Sequence, residues 1–190
     1  MKKLMTAAAA ALFAVTFNAN AETRLVLPPL PLDTYLDSLY LDYSLGFKMG
    51  TPTKEQNVEI DTKEVYLRRE FSQFSVGLMI PSMEVSVAQL NANELHGYNY
   101  GVGPSMTIPL AGFAGKMQLV GSAKVHWLTR HDFDRKQYGG PVQFTYSFGG
   151  KYQIERNMFV EYTWEHMSNG DRYEYNPALE THNFAIGVNF

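Results

Sequence analysis

The chain has 190 residues, a formal net charge of −3, 14% aromatic and 18% charged residues, and no cysteine. A mildly acidic balance lacks the clustered Lys and Arg on which nucleic-acid binding rests. The absence of cysteine rules out a disulfide framework and a thiolate metal site. With no phosphate-binding glycine loop and no metal-ligand cluster either, the sequence calls for no cofactor and no metal.

Lys2 and Lys3 precede an apolar run from Leu4 to about Phe17, and Ala19-Asn20-Ala21 follows. This order predicts a secretory signal peptide over residues 1–21. A first transmembrane helix is the other reading, but the run is short and ends in a cleavage-type site. Residues 22–37 contain three prolines, keep no clear period, and read as a leader. Beyond them no apolar run is long enough for a spanning helix. An exported chain rich in alternating aromatic segments suggests instead a barrel that crosses the membrane with strands, over residues 38–190.

Taken in order, Leu39, Leu41, Tyr43, Leu45 and Phe47 alternate with Tyr40, Asp42, Ser44, Gly46 and Lys48, a first strand. Gly50 to Asp61 reads as a loop, and residues 63–72 as a second strand. Phe74, Val76, Leu78 and Ile80 open a third, continued by Met83, Val85 and Val87, with Pro81 expected at a bulge. Asn91 to His96 reads as a polar loop, Tyr98 to Ile108 as a fourth strand, and Met117 to Trp127 as a fifth. The charged segment Arg130–Gly139 separates these from a sixth strand near Val142–Phe148, and Gly150–Asn157 turns into the last two.

Those last two strands are the most informative. From Met158, one face carries Val160, Tyr162, Trp164, His166 and Ser168; in the final segment Glu180, His182, Phe184, Ile186, Val188 and Phe190 share a face. The count of about eight strands predicts an all-β, eight-stranded antiparallel transmembrane barrel of the outer membrane. Asp42, Lys48, Arg68, Glu70, Lys124, His126, Glu161 and Glu165 fall on the inward parity. They are expected to pair with each other, because an eight-stranded barrel is filled by its side chains. A soluble barrel would reverse this pattern, apolar inside and polar outside. The terminal Phe190 also suits an outer-membrane barrel. Short turns on the periplasmic side and longer loops outside predict a periplasmic C-terminus.

His166, Ser168 and Glu180 thus lie on outward, otherwise apolar faces, where polar groups are costly unless used. Near the outer rim, with Ser168 facing Glu180 across the hairpin, Cβ atoms about 5 Å apart and a His166–Glu180 diagonal of about 7–8 Å are expected. His182, expected opposite His166, is a competing base or a supporting residue. Asp171, Arg172 and Glu174 read as solvated loop charges, or as contacts for phosphates.

The run His166-Met167-Ser168-Asn169, with Asn176, Glu180 and a terminal Phe190 at the spacings found here, resembles the lipid A 3-O-deacylase (PagL) family. The resemblance implies an eight-stranded outer-membrane barrel with an outward-facing triad of Ser168 as nucleophile, His166 as base and Glu180 as orienting acid. It further implies that Asn169 and Asn176 form or hold the oxyanion hole. The substrate implied is lipid A, or lipopolysaccharide, in the outer leaflet, from which an ester-linked 3-hydroxyacyl chain is hydrolysed. Two positions depart from the family pattern: Thr163 stands where it has arginine, and Ala178 where it has glycine. A non-catalytic structural or adhesive barrel is the alternative reading, and a homodimer is compatible with the sequence.

Overall fold

The computed structural model describes residues 43–53, 58–111, 113, 116–134 and 136–190. The expected signal peptide, the leader, the start of the first strand and Asp42 lie outside these residues. Strands β1 (Tyr43–Pro52), β2 (Asp61–Glu70), β3 (Ile80–Ala92), β4 (Leu95–Pro109) and β5 (Met117–Leu128) follow one another around a sheet. A small hairpin, β6 (Asp132–Phe133) with β7 (Lys136–Gln137), interrupts the sequence before β8 (Val142–Glu155), β9 (Met158–Ser168) and β10 (Leu179–Asn189). Strand β10 pairs antiparallel with β1 and closes an eight-stranded barrel, with β5 adjoining β8. Closure leaves no unpaired sheet edge, which a bilayer requires of any strand structure.

The alternation is inside out relative to a soluble protein. Along β1, Leu45, Phe47 and Met49 are exposed, whereas Ser44 and Lys48 are buried. The same holds on β10, where Phe184, Ile186 and Val188 are exposed and Asn183 and Asn189 are buried. Inside, Arg68 forms paired contacts with Glu161 (Nη1–Oε2 2.9 Å, Nη2–Oε1 3.1 Å) and reaches Glu84 through Nη2 at 2.9 Å. Above it Lys124 lies 3.0 Å from both Glu64 and Glu84, and Lys48 bridges Glu64 at 2.9 Å and Glu165 at 3.3 Å. His126 is held by Asn99 (2.8 Å) and Thr145 (2.9 Å). The charged lumen expected from parity is present, and Glu64, Glu84 and Lys151 join it. Opposed charges and satisfied hydrogen bonds make such burial tolerable.

Two features shape the interior further. Gly46 and Gly187 face each other on β1 and β10, and a Cβ on either would collide with the ring of Tyr66 or Phe159. The two aromatics fill the space that the glycines vacate, and Lys151 Nζ caps the Phe159 ring at 4.4 Å. At the end near Ser168, Val58, Ile60, Leu90, Leu128, Phe133, Tyr138, Met167 and Leu179 form an apolar cluster over the polar lumen. Sequence alternation gives no sign of this cap, since several of its residues lie in segments read as polar loops.

Several boundaries differ from expectation. Strand β1 runs on to Pro52, and β3 and β4 continue through the segment read as a loop, leaving only Asn93 and Glu94 as the turn. Asn93 takes a left-handed φ of 54°, which asparagine tolerates. Residues 72–74 form a 3₁₀ turn, not the start of a strand, so Phe74, Val76 and Leu78 are exposed at the rim. Pro81 is the second residue of β3 and causes no register shift; its carbonyl accepts the Phe71 N–H at 2.8 Å. Near a strand start its missing N–H costs little. The one register shift between β8 and β9 lies at Gln153–Glu155. Loop length does not separate the two ends either, since 93–94 is tight and 71–79 is long.

Ile186 pairs with Val160 on the exposed face and with Phe47 on the other side. Ile186→Arg should destabilise the inserted barrel by about 2–4 kcal/mol, the cost of a cation on the lipid face near the midplane. Heat-modifiable electrophoretic migration reads this directly: the variant should lose its compact band at lower temperature, and an unchanged transition would place Ile186 away from lipid.

Candidate active site

The polar residues gather on the outer surface where β8, β9 and β10 meet, at the end carrying the 169–178 segment. Register puts Glu180 directly opposite His166, and Tyr146 of β8 opposite His166 on its other side. Ser168 is opposite Phe144. The expectation that Ser168 faces Glu180 is therefore corrected: Glu180 is level with His166. His182 does not face His166 either; it pairs with Trp164, and its Nδ1 lies 2.7 Å from the Tyr162 hydroxyl.

His166 Nδ1 lies 3.5 Å from Glu180 Oε1, an ion-pair separation longer than a good hydrogen bond. The two side chains are 19% and 30% exposed, which leaves the pair reachable but substantially desolvated. Strand β1 runs on beside Glu180 from the opposite flank. The Thr53 N–H donates to the Glu180 carbonyl at 2.9 Å, and the Thr53 hydroxyl donates to Glu180 Oε2 at 3.4 Å. Thr53 thus steadies the carboxylate from outside the hairpin, a contact that only barrel closure brings about. Among the described residues Ser168 Oγ makes no hydrogen bond, and it stands two residues, about 7 Å along the strand, from His166. Nucleophile–base contacts are commonly looser before substrate binds.

Beyond Ser168 the chain turns inward. The Asn169 side chain is buried, and its amide donates to the carbonyls of Tyr138 (3.0 Å) and Tyr175. The Asn169 N–H donates to Asn176 Oδ1 at 2.9 Å, and Asn176 Nδ2 donates to Asp171 Oδ1 at 2.9 Å. Gly170 and Asp171 take left-handed φ values of 66° and 62° in succession. The two asparagines therefore tie the 169–178 segment to itself and to the 129–141 segment. Within that second segment burial pushes the Lys136 ammonium down to about 8. Thr163 is buried on the inward face, on the far side of the strand from the site, and Asp171, Arg172 and Glu174 are exposed.

A row of aromatic rings descends from the site along the outer wall. Tyr146 stacks on His166 with centroids 5.0 Å apart and planes at 27°. Trp164 lies 6.1 Å from His166, 5.6 Å from Tyr146 and 5.3 Å from Phe148. The outward parity of Tyr146 was legible in the sequence; its place in the His166 row was not. Among the described residues no group of three His, Cys, Asp or Glu side chains is positioned to hold a metal.

An inside-out barrel of eight strands, with a polar cluster on an aromatic outer wall, defines a small outer-membrane β-barrel whose candidate site lies on its outer face. The family model for lipid A 3-O-deacylase (PagL) matches residues 64–189, and the chain belongs to that family. Among solved structures, the outer membrane enzyme PagL superimposes with a TM-score of 0.66 at 10% identity, covering 77% of this chain and 99% of that one. The Yersinia pestis outer membrane protein Ail, in a phospholipid bilayer nanodisc, gives 0.52 at 10% identity over 80% and 100% of the two chains. A de novo designed transmembrane β-barrel gives 0.50 at 12% identity, over 77% and 91%. At such identities these likenesses speak for the fold alone. No curated protein matches the chain. Membership in the family makes the chain an outer-membrane barrel of a group that hydrolyses lipid A.

Proposed function

We propose that the protein is itself a lipid A 3-O-deacylase that removes the ester-linked 3-hydroxyacyl chain by a serine mechanism on its outer wall. The observation that carries this is the placement of Glu180 level with His166 and of Ser168 just above it, all facing outward. A substrate embedded in the same leaflet reaches such a site without entering the barrel. The C-terminus then lies on the periplasmic side and the 169–178 segment at the outer surface.

Ser168 Oγ attacks the ester carbonyl while His166 Nε2 takes its proton. Glu180, beside Nδ1, fixes the imidazole and stabilises the imidazolium. The collapsing tetrahedral intermediate expels the sugar oxygen, which receives that proton. The acyl-enzyme is then hydrolysed by water, with His166 again as base, releasing the 3-hydroxy fatty acid. Two donors in the segment after Ser168 are the candidates for holding the oxyanion. The Gly170 N–H, two residues past the nucleophile, makes no hydrogen bond among the described residues. Asn176 Nδ2 uses one hydrogen on Asp171 and keeps a second. Preorganised donors of this kind lower the barrier at the developing charge.

Mass spectrometry of lipid A from cells producing the full-length protein tests the reading. The expected result is a species lighter by one 3-hydroxyacyl group. Unchanged lipid A would favour a structural or adhesive barrel, and acyl transfer to a new acceptor would indicate a different enzyme.

A further inference from the structure

We propose that Tyr146 is a positioning residue for this reaction, whose ring holds the His166 imidazole against Glu180 and stabilises its protonated form. The inference rests on the serine mechanism above and extends it to a strand, β8, that contributes none of the triad. The stack of the two rings at 5.0 Å and 27° places the aromatic face against the imidazole. A cation over an aromatic face is attracted by the ring quadrupole, more strongly where water is excluded. In the reaction His166 becomes a cation twice, each time the nucleophile's or the water's proton rests on it. The ring therefore favours the state in which charge has developed.

Geometry gives the base two walls. Glu180 and Tyr146 flank it from β10 and β8 in the same row, and Trp164 closes the space below at 6.1 Å. Without Tyr146 nothing on β8 keeps the imidazole from swinging away from Glu180. The titratable groups facing His166 are Glu180 on β10 and the Tyr146 phenol on β8; His182 lies one row lower, opposite Trp164 and bonded to Tyr162, and Thr53 of the β1 end reaches His166 only through Glu180. The effect assigned to Tyr146 belongs to the ring and not to the hydroxyl.

The test compares Tyr146→Phe and Tyr146→Leu in the full chain, folded in detergent micelles with purified lipid A. The phenylalanine variant should keep its rate within about threefold. The leucine variant should lose roughly 3- to 30-fold in kcat, the range a cation–aromatic contact spans. Because the imidazolium loses a stabilising partner, the acid limb of the leucine variant's pH–rate profile should move to lower pH. A rate loss with an unmoved acid limb, or a phenylalanine variant as impaired as the leucine one, overturns the proposal. Ser168→Ala measured alongside separates the two readings: if it stays active the serine mechanism itself fails, and if it is dead while the leucine variant behaves as wild type only the role of Tyr146 fails.

Discussion

Ser168→Ala and His166→Ala should each abolish measurable deacylation while the barrel still folds. Both side chains stand on the outer wall, and the lumen network and apolar cap that hold the barrel together do not include them. In serine triads, loss of the nucleophile or the base costs on the order of 10⁶ in kcat, whereas loss of the acid costs about 10⁴. Glu180→Ala should therefore retain more activity than either. Groups that act as one unit do not lose rate additively, so the Ser168/His166 double variant should be no worse than either single one. The measurement is lipid A deacylation by purified protein, with compact electrophoretic migration as the check on folding. A Ser168→Ala protein with full activity would end the serine mechanism and turn attention to His182.

The second large effect is expected in the interior. Arg68→Met removes the cation shared by Glu84 and Glu161, and among the described residues Glu161 then keeps one hydrogen bond, from the Tyr66 hydroxyl at 3.4 Å. Breaking a buried pair by deleting one partner costs about 3–5 kcal/mol, because the remaining charge is left uncompensated. Removing charge from both sides is far milder. Arg68→Met should thus unfold at distinctly lower denaturant than wild type, and adding Glu161→Gln should recover much of the loss. Equal midpoints for Arg68→Met and wild type would mean that the network contributes nothing to stability.

Which face each residue takes was legible along most strands, because the side-chain period of a strand is two and the lipid and lumen sides differ sharply in polarity; Ile80 is the exception, read in one series with Leu78 but buried, because β3 starts there without a bulge at Pro81. Lys48, Arg68, Lys124 and Glu161 were assigned inward, and His166, Ser168 and Glu180 outward, by parity alone. Row assignment was not legible. Sliding β10 against β9 by two residues preserves every face, so alternation cannot tell whether Glu180 stands level with His166 or with Ser168. That choice depends on how many residues the 169–178 segment consumes, and the buried Asn169 with its bonds to Tyr138 and Tyr175 fixes it. Contacts between strands distant in sequence, Thr53 with Glu180 and Tyr146 with His166, follow from closure and packing. The apolar rim residues Phe74, Val76 and Leu78 read as a strand because the bilayer boundary demands greasy side chains whatever the backbone does.

Strand β9 also ties correct winding to the proposed site. Glu161 and Glu165 serve the interior and His166 and Ser168 the exterior, on consecutive positions of one segment. A one-residue misalignment during assembly would send the reactive groups into the lumen and turn the carboxylates toward hydrocarbon. Such a product loses its ion pairs together with its chemistry. The barrel thus carries its own proofreading: under the serine mechanism proposed above, a correctly wound molecule and an armed one are the same molecule, and a miswound one is the less stable of the two.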